Sequence, residues 1–255
     1  MNQLSYRAAI FDLDGVVTNT AKVHALAWKD LFDSYLLENT QKNGGEFREF
    51  DLHHDYLAYV DGKPRVDGIA SFLASRGISL PFGSHNNEPN LETVCGLGNK
   101  KDKIFIKLLK EKGVEIFDST VKLIHELKNA GVCLAIASSS KNCKLVLETT
   151  GLDKLFEIRI DGLVSLEKSL KGKPAPDIFL ECAKFFKTEP AECIIFEDAV
   201  SGVQAGRNGK FGLVIGIDQV GQSQVLYEQG AHVVVTDLGG ITINHLETWY
   251  IKHNS

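Results

Sequence analysis

Five short apolar runs constrain this chain most, because each is unbroken and each ends in an acidic or hydroxyl side chain. Ala8-Ala9-Ile10-Phe11 meets Asp12, and residues 132–137 meet Ser138. Cys193-Ile194-Ile195-Phe196 meets Glu197 and Asp198, residues 213–217 meet Asp218, and residues 232–235 meet Thr236 and Asp237. A strand with one wet face alternates apolar and polar residues, whereas a strand covered on both faces does not. The runs therefore predict a parallel sheet buried between helical layers. Helical patterns lie between them. Asp118 or Ser119 can cap a helix with Val121, Ile124 and Leu127 on one stripe, ended by Gly131. Pro176 can open another that turns Ile178, Phe179, Cys182 and Phe186 inward. This alternation predicts a doubly wound α/β fold.

Residues 18–100 follow a different pattern. Val23, Ala27, Leu31 and Tyr35 keep helical spacing, as do Ile69, Phe72 and Leu73, while Gln41 to Glu46 and Pro81 to Asn90 read as loops. The division expected is a core of residues 1–17 and 101–255 and an inserted helical cap of residues 18–100. An insert that starts and ends beside a strand end is attached as a lid over an active site would be.

Charge and cysteine content narrow the partners. The 255 residues carry a net charge of −5, which disfavours a basic nucleic-acid-binding face. The five cysteines are odd in number and lack C-x-x-C spacing, and Cys133, Cys182 and Cys193 sit among apolar neighbours. Reduced, buried thiols are expected. No run reaches the ~20 apolar residues of a membrane span, and Met1 to Ala9 lacks the pattern of a secretory leader. The reading is a cytoplasmic protein, a monomer, without membrane or nucleic-acid partners.

Ligands of an open parallel sheet bind beyond the carboxyl ends of its strands. That edge would carry Asp12, Asp14, Ser138, Glu197 and Asp198. Converging carboxylates repel one another. A divalent cation relieves the repulsion, and oxygen ligands without His or Cys favour Mg²⁺. A carboxylate such as Asp12 can attack phosphorus. A second one two residues on, Asp14, can move the protons. Ser138 and the amides after it can hold phosphoryl oxygens, and Lys173 can neutralise charge there.

Phe11-Asp12-Leu13-Asp14-Gly15, Ala137-Ser138-Ser139-Ser140, Gly172-Lys173-Pro174-Ala175-Pro176-Asp177 and Phe196-Glu197-Asp198-Ala199 occur in that order. In this the chain resembles the haloacid dehalogenase superfamily. The resemblance implies a Rossmann-like core, an inserted helical cap and Mg²⁺-dependent phosphoryl transfer. It implies Asp12 as nucleophile and Asp14 as general acid/base. Metal ligands would be Asp12, the Asp14 main-chain carbonyl and Asp198, with Glu197 nearby; Ser138, Ser139 and Lys173 would hold the transferring phosphate. Dehalogenases proper lack the second aspartate, which is present here as Asp14.

Within the superfamily the stretch Asp14 to His24, Ala27-Trp28-Lys29, Gly62-Lys63-Pro64-Arg65 and Ser140-Lys141-Asn142 are similar to the β-phosphoglucomutase subfamily. That resemblance implies a small phosphorylated sugar as substrate. Arg65, Ser140, Lys141 and Asn142 would bind its distal phosphate, and His24, Trp28 and Lys100 would also face the substrate. It implies interconversion of β-glucose 1-phosphate and glucose 6-phosphate, with a sugar-phosphate phosphatase as the alternative on the same residues. Asn19 departs from the subfamily's aspartate, and the cap carries longer polar loops. Taken alone, Arg65 could instead pair with Asp61 or Asp67, and His53-His54 reads as an exposed polar pair.

Overall fold

The computed structural model describes residues 4–254. The first three residues of the N-terminal stretch read above lie outside the described residues. The chain forms two compact units. One is Thr20–Gly113; the other runs up to Asn19 and resumes at Val114.

In the split unit, six parallel strands among the described residues form one sheet in the order β3-β2-β1-β4-β5-β6. They are β1 (Ala8–Phe11), β2 (Cys133–Ala137), β3 (Ile158–Ile160), β4 (Cys193–Glu197), β5 (Leu213–Ile217) and β6 (Val233–Val235). The five apolar runs supply five of them. The sixth, β3, is a three-residue edge strand with Arg159 at its centre, so no apolar run marks it. β1, β4 and β5 are buried along their whole length, as unbroken apolar runs require. Phe11 of β1 is level with Ile136 of β2 and Phe196 of β4. The residues that follow these three therefore emerge together at the carboxyl edge. The strand order also reverses between β1 and β4, and ligands of open sheets bind at such a switch point.

Helices α4 (Asp118–Asn129), α5 (Cys143–Thr150), α6 (Gly162–Glu167), α7 (Asp177–Phe186), α8 (Val200–Asn208), α9 (Ser223–Glu228) and α10 (Ile243–Asn254) also belong to this unit. α7 follows Pro176, and Ile178, Phe179 and Cys182 enter the core with Phe186 packed on its margin. α4 differs in detail from the expectation. Phe117 holds the N-cap position, and Asp118 is instead the first helical residue. Its charge there still favours the helix dipole.

The second unit holds α1 (Ala21–Asn43), α2 (Arg65–Ser75) and α3 (Val94–Lys112), with a π-helical turn at Tyr56–Val60. α1 buries Val23, Ala27, Leu31 and Tyr35 as the spacing predicts, and also Trp28, Phe32 and Leu36. Phe32 stacks 4.1 Å from Phe72 of α2 and 5.1 Å from Phe50 between ring centroids, which closes a separate aromatic core. Two boundaries move. Gln41 to Asn43 remain in α1, which ends at Gly44 with φ of 76°. Residue 100 falls inside the continuous helix α3, so the second unit ends at Gly113. All five cysteines are thiols; Cys95, Cys143, Cys182 and Cys193 are buried as expected, whereas Cys133, at the start of β2, is only partly so. His53 and His54 are exposed. No described helix is long and apolar enough to cross a membrane.

Candidate active site

The carboxyl edge of the sheet gathers four acids, one serine and one lysine. Asp12 leaves β1 with its amide still bonded to the Phe196 carbonyl at 2.9 Å, so the pairing with β4 carries one residue beyond the strand. The chain then turns sharply. The amides of Val17 and Thr18 donate to the Leu13 carbonyl at 3.0 and 2.9 Å, and Gly15 donates to the Thr18 carbonyl at 2.7 Å. Thr120 Oγ1 ties the turn to α4 by donating to the Val16 carbonyl at 2.8 Å. Gly15 is required at its place twice over. Its φ is 92°, and a Cβ there would lie 1.7 Å from Asp198 Oδ2. Gly202 likewise makes room for Glu197, because its Cβ would sit 2.0 Å from the Glu197 carboxyl carbon.

Lys173 binds this cluster from the loop before α7. Its Nζ donates to Asp12 Oδ1 at 2.6 Å and closely to Glu197 Oε1. All three groups are buried. One ammonium between two carboxylates leaves a surplus negative charge in a dry place, which is costly. Burial accordingly pushes the Glu197 carboxyl up to about 8 and raises Asp12 as well, while Lys173 pulls both down. Burial acts to depress Lys173, but Asp12 and Glu197 outweigh it and hold the ammonium charged well above its ordinary range. Asp14 adds to the pressure that raises Asp12.

One oxygen each from Asp12, Glu197 and Asp198 lie within 4.8 Å of one another. Hard oxygen donors with surplus negative charge fit a divalent cation of the Mg²⁺ and Ca²⁺ class. Glu197 reaches this group while it also anchors Lys173, a link that residue types alone did not suggest.

Ser138 follows β2, where its amide bonds to the Ile160 carbonyl at 3.0 Å. Its hydroxyl accepts from the Ser140 amide at 3.1 Å and donates toward Asp14 Oδ2 at 3.4 Å. Ser140 Oγ accepts from the Asn142 amide at 3.2 Å, so residues 138–142 form a tight hydroxyl-stapled turn. Gly162 lets this turn pack close, since a Cβ there would lie 2.7 Å from the Ser139 carbonyl and 3.0 Å from the Lys141 amide.

The remaining candidates lie in the second unit. His24 and Trp28 are on α1, and Trp28 is buried, stacked 5.2 Å from Phe32. Arg65 opens α2 and pairs with Asp102 at 2.7 Å, rather than with Asp61 or Asp67. Lys100 is half-buried, 3.9 Å from Glu38. Its neighbour Lys101 is the lysine beside His24: buried, it bonds to His24 Nδ1 and lies 4.8 Å from the Trp28 ring and 5.0 Å from Phe105. An ammonium only donates, so His24 Nδ1 accepts. Sequence reasoning took Lys100 rather than the adjacent Lys101, and passed over Asn99 and Asp102. The paired lysines were the available signal, but not which of them turns inward.

Known proteins resemble the chain along most of its length. The family model for haloacid dehalogenase-like hydrolases matches residues 6–210. The chain is 47% identical over 235 residues to β-phosphoglucomutase of Mycobacterium bovis, covering 91% of this chain and 90% of that one. It is 30% identical over 245 residues to β-phosphoglucomutase of Bacillus subtilis, covering 95% of each. Among solved structures, β-phosphoglucomutase of Clostridium difficile superposes with a TM-score of 0.77 at 25% identity, covering 98% of this chain and 99% of that one.

Proposed function

The chain belongs to the haloacid dehalogenase-like hydrolase family, and within it we propose a Mg²⁺-dependent phosphohexomutase that interconverts β-glucose 1-phosphate and glucose 6-phosphate. Membership makes it a phosphoryl-transfer enzyme. The observation that carries the choice of reaction is 47% identity, over nine-tenths of the chain, to a protein named β-phosphoglucomutase.

The Asp12 carboxylate attacks phosphorus of a sugar phosphate. A bond from phosphorus to Asp12 forms and the bond to the sugar oxygen breaks, leaving an aspartyl phosphate. Asp14 gives its proton to the departing sugar oxygen. In the mutase cycle the phosphorylated enzyme passes this group to the free hydroxyl of the sugar monophosphate, and Asp14 takes the hydroxyl proton. The resulting bisphosphate reorients and returns its other phosphate to Asp12. Ser138 and the turn amides hold the equatorial oxygens as charge shifts among them. Lys173 draws the Asp12 carboxyl down against the effect of burial and aims it, which its 2.6 Å hydrogen bond supports. Asp12, the Asp14 main-chain carbonyl and Asp198, with Glu197 beside them, are the groups that would hold Mg²⁺. Bound there, the ion supplies positive charge against the phosphoryl group. Arg65 is assigned the phosphate that is not reacting, because its planar fork binds phosphate bidentately.

The test supplies β-glucose 1-phosphate with a trace of the 1,6-bisphosphate and Mg²⁺. Glucose 6-phosphate is expected as the main product. Free phosphate alone would overturn the mutase reading in favour of a sugar-phosphate phosphatase.

A further inference from the structure

We propose that Asn99 is a positioning residue that fixes the Arg65 guanidinium against the loop of residues 81–90, so that this loop sets how tightly the substrate's second phosphate is held. The proposal rests on the assignment of Arg65 to that phosphate.

Both ends of the Asn99 amide are engaged. Its Oδ1 accepts from Arg65 Nη2 at 3.3 Å, and its Nδ2 donates to the His85 and Asn87 carbonyls at 3.0 and 2.8 Å. An amide can do both at once; a carboxylate cannot donate, and an ammonium cannot accept. A carboxylate at this position would also add a negative charge beside the guanidinium, which already faces Asp102 at 2.7 Å. A second such charge would cancel its attraction for a phosphate. The amide orients the guanidinium and adds none.

The loop so tethered has an ordered construction of its own. Its carbonyls at Pro81 and Phe82 accept from the Val94 and Cys95 amides, both at 3.0 Å, which satisfies first-turn donors of α3. Asn87 Oδ1 accepts from the Ser84 amide at 2.9 Å and from Thr93 Oγ1 at 3.0 Å. Gly83 has φ of 77°, and a Cβ there would lie 2.2 Å from Asn87 Oδ1. Arg65 itself is 14% exposed. Two of its guanidinium nitrogens are held from α3, and Nε is buried without a hydrogen-bond partner among the described residues. A guanidinium needed only to pair with Asp102 gains nothing from a neutral tether to a distant loop. One that must present a donor to a ligand gains a fixed direction.

The experiment measures consumption of β-glucose 1-phosphate, counting both glucose 6-phosphate and free phosphate, so that it reads equally well whichever product dominates. Hydrolysis of p-nitrophenyl phosphate, which lacks a second phosphate, runs beside it. Asn99→Ala is expected to raise KM for the phosphosugar roughly 10-fold with kcat changed less than about 3-fold, and to leave p-nitrophenyl phosphate hydrolysis unchanged. Asn99→Asp should be at least as harmful. Asn87→Ala, which loosens the loop without touching Arg65, should raise KM about 3-fold. In an Arg65→Ala background Asn99→Ala should add nothing. An unchanged KM in both Asn99 variants overturns the proposal, as does an undiminished Asn99→Ala effect in that background. A normal KM for Arg65→Ala alone removes the phosphate role of Arg65 and the proposal with it. Thermal unfolding of each variant separates loss of positioning from loss of fold, with Asn87→Ala as the milder probe should Asn99→Ala fail to fold.

Discussion

The sheet edge and the helical unit each bury a lysine, and they do so by opposite means. Lys173 sits between Asp12 and Glu197, in a trio whose acids outnumber its base. Lys101 lies beside an imidazole nitrogen and the faces of Trp28 and Phe105. The first ammonium is an electrostatic component that the surrounding acids require. The second donates to His24 Nδ1 with two aromatic faces around it. A buried charge in this fold therefore signals chemistry where carboxylates converge, and positioning where rings and imidazole surround it.

The largest expected effect tests that contrast directly. Lys173→Met leaves two carboxylates buried around a methyl group and should cost about 3–5 kcal/mol, as breaking a buried pair does. Lys101→Met keeps the volume and loses the hydrogen bond to His24 Nδ1 together with the attraction to the rings, at about 2 kcal/mol. Urea denaturation of the two variants measures both, and equal losses would break the comparison. Next comes the packing around the acids. Gly15→Ala forces a side chain onto a positive φ and into the Asp198 carboxylate, and should cost about 1–3 kcal/mol. In the helical unit a Cβ at Gly98 would meet Arg65 Nε at 3.3 Å, crowding a guanidinium already held by Asp102 and Asn99. With the helix preference for Ala of about 1 kcal/mol on its side, Gly98→Ala should be close to neutral. Thr120→Val, which removes the tie to the Asp12–Thr18 turn, should cost about 1 kcal/mol in the same titrations.

The smallest effect concerns a bystander. His232 Nδ1 accepts from the Val214 amide at 2.9 Å, and burial, with His253 and Arg207 nearby, pushes its pKa down to about 4. The unfolded chain takes up this proton near 6.5 and the folded chain does not. Its contribution to stability is thus complete above about pH 6.5 and is lost as pH falls toward 4. Urea midpoints at several pH values should fall less steeply across that window in His232→Gln than in the unaltered protein.

Much of the sheet edge was legible because strand burial leaves a plain trace. Asp12, Ser138, Glu197 and Asp198 could be placed together from the ends of apolar runs, before any register was known. The short strand β3 could not, since Arg159 at its centre breaks the kind of apolar run that marks β6, an edge strand of equal length. Nor could Lys101. Adjacent residues on a helix point about 100° apart, and only the packing of α3 on α1 decides which lysine turns inward. Asn99 left no mark because two of its three partners are main-chain carbonyls in a loop, which any sequence supplies, and the third, Arg65, lies 34 residues away.

The claim on which the account turns is that phosphate passes through Asp12. β-Glucose 1-phosphate carrying a ³²P label would be incubated with the enzyme, the reaction quenched in acid, and peptides mapped for label. The account predicts acid-stable label on the peptide bearing Asp12, and neither label nor turnover in Asp12→Asn. Turnover that persists in Asp12→Asn, or label that falls on another residue, would contradict it.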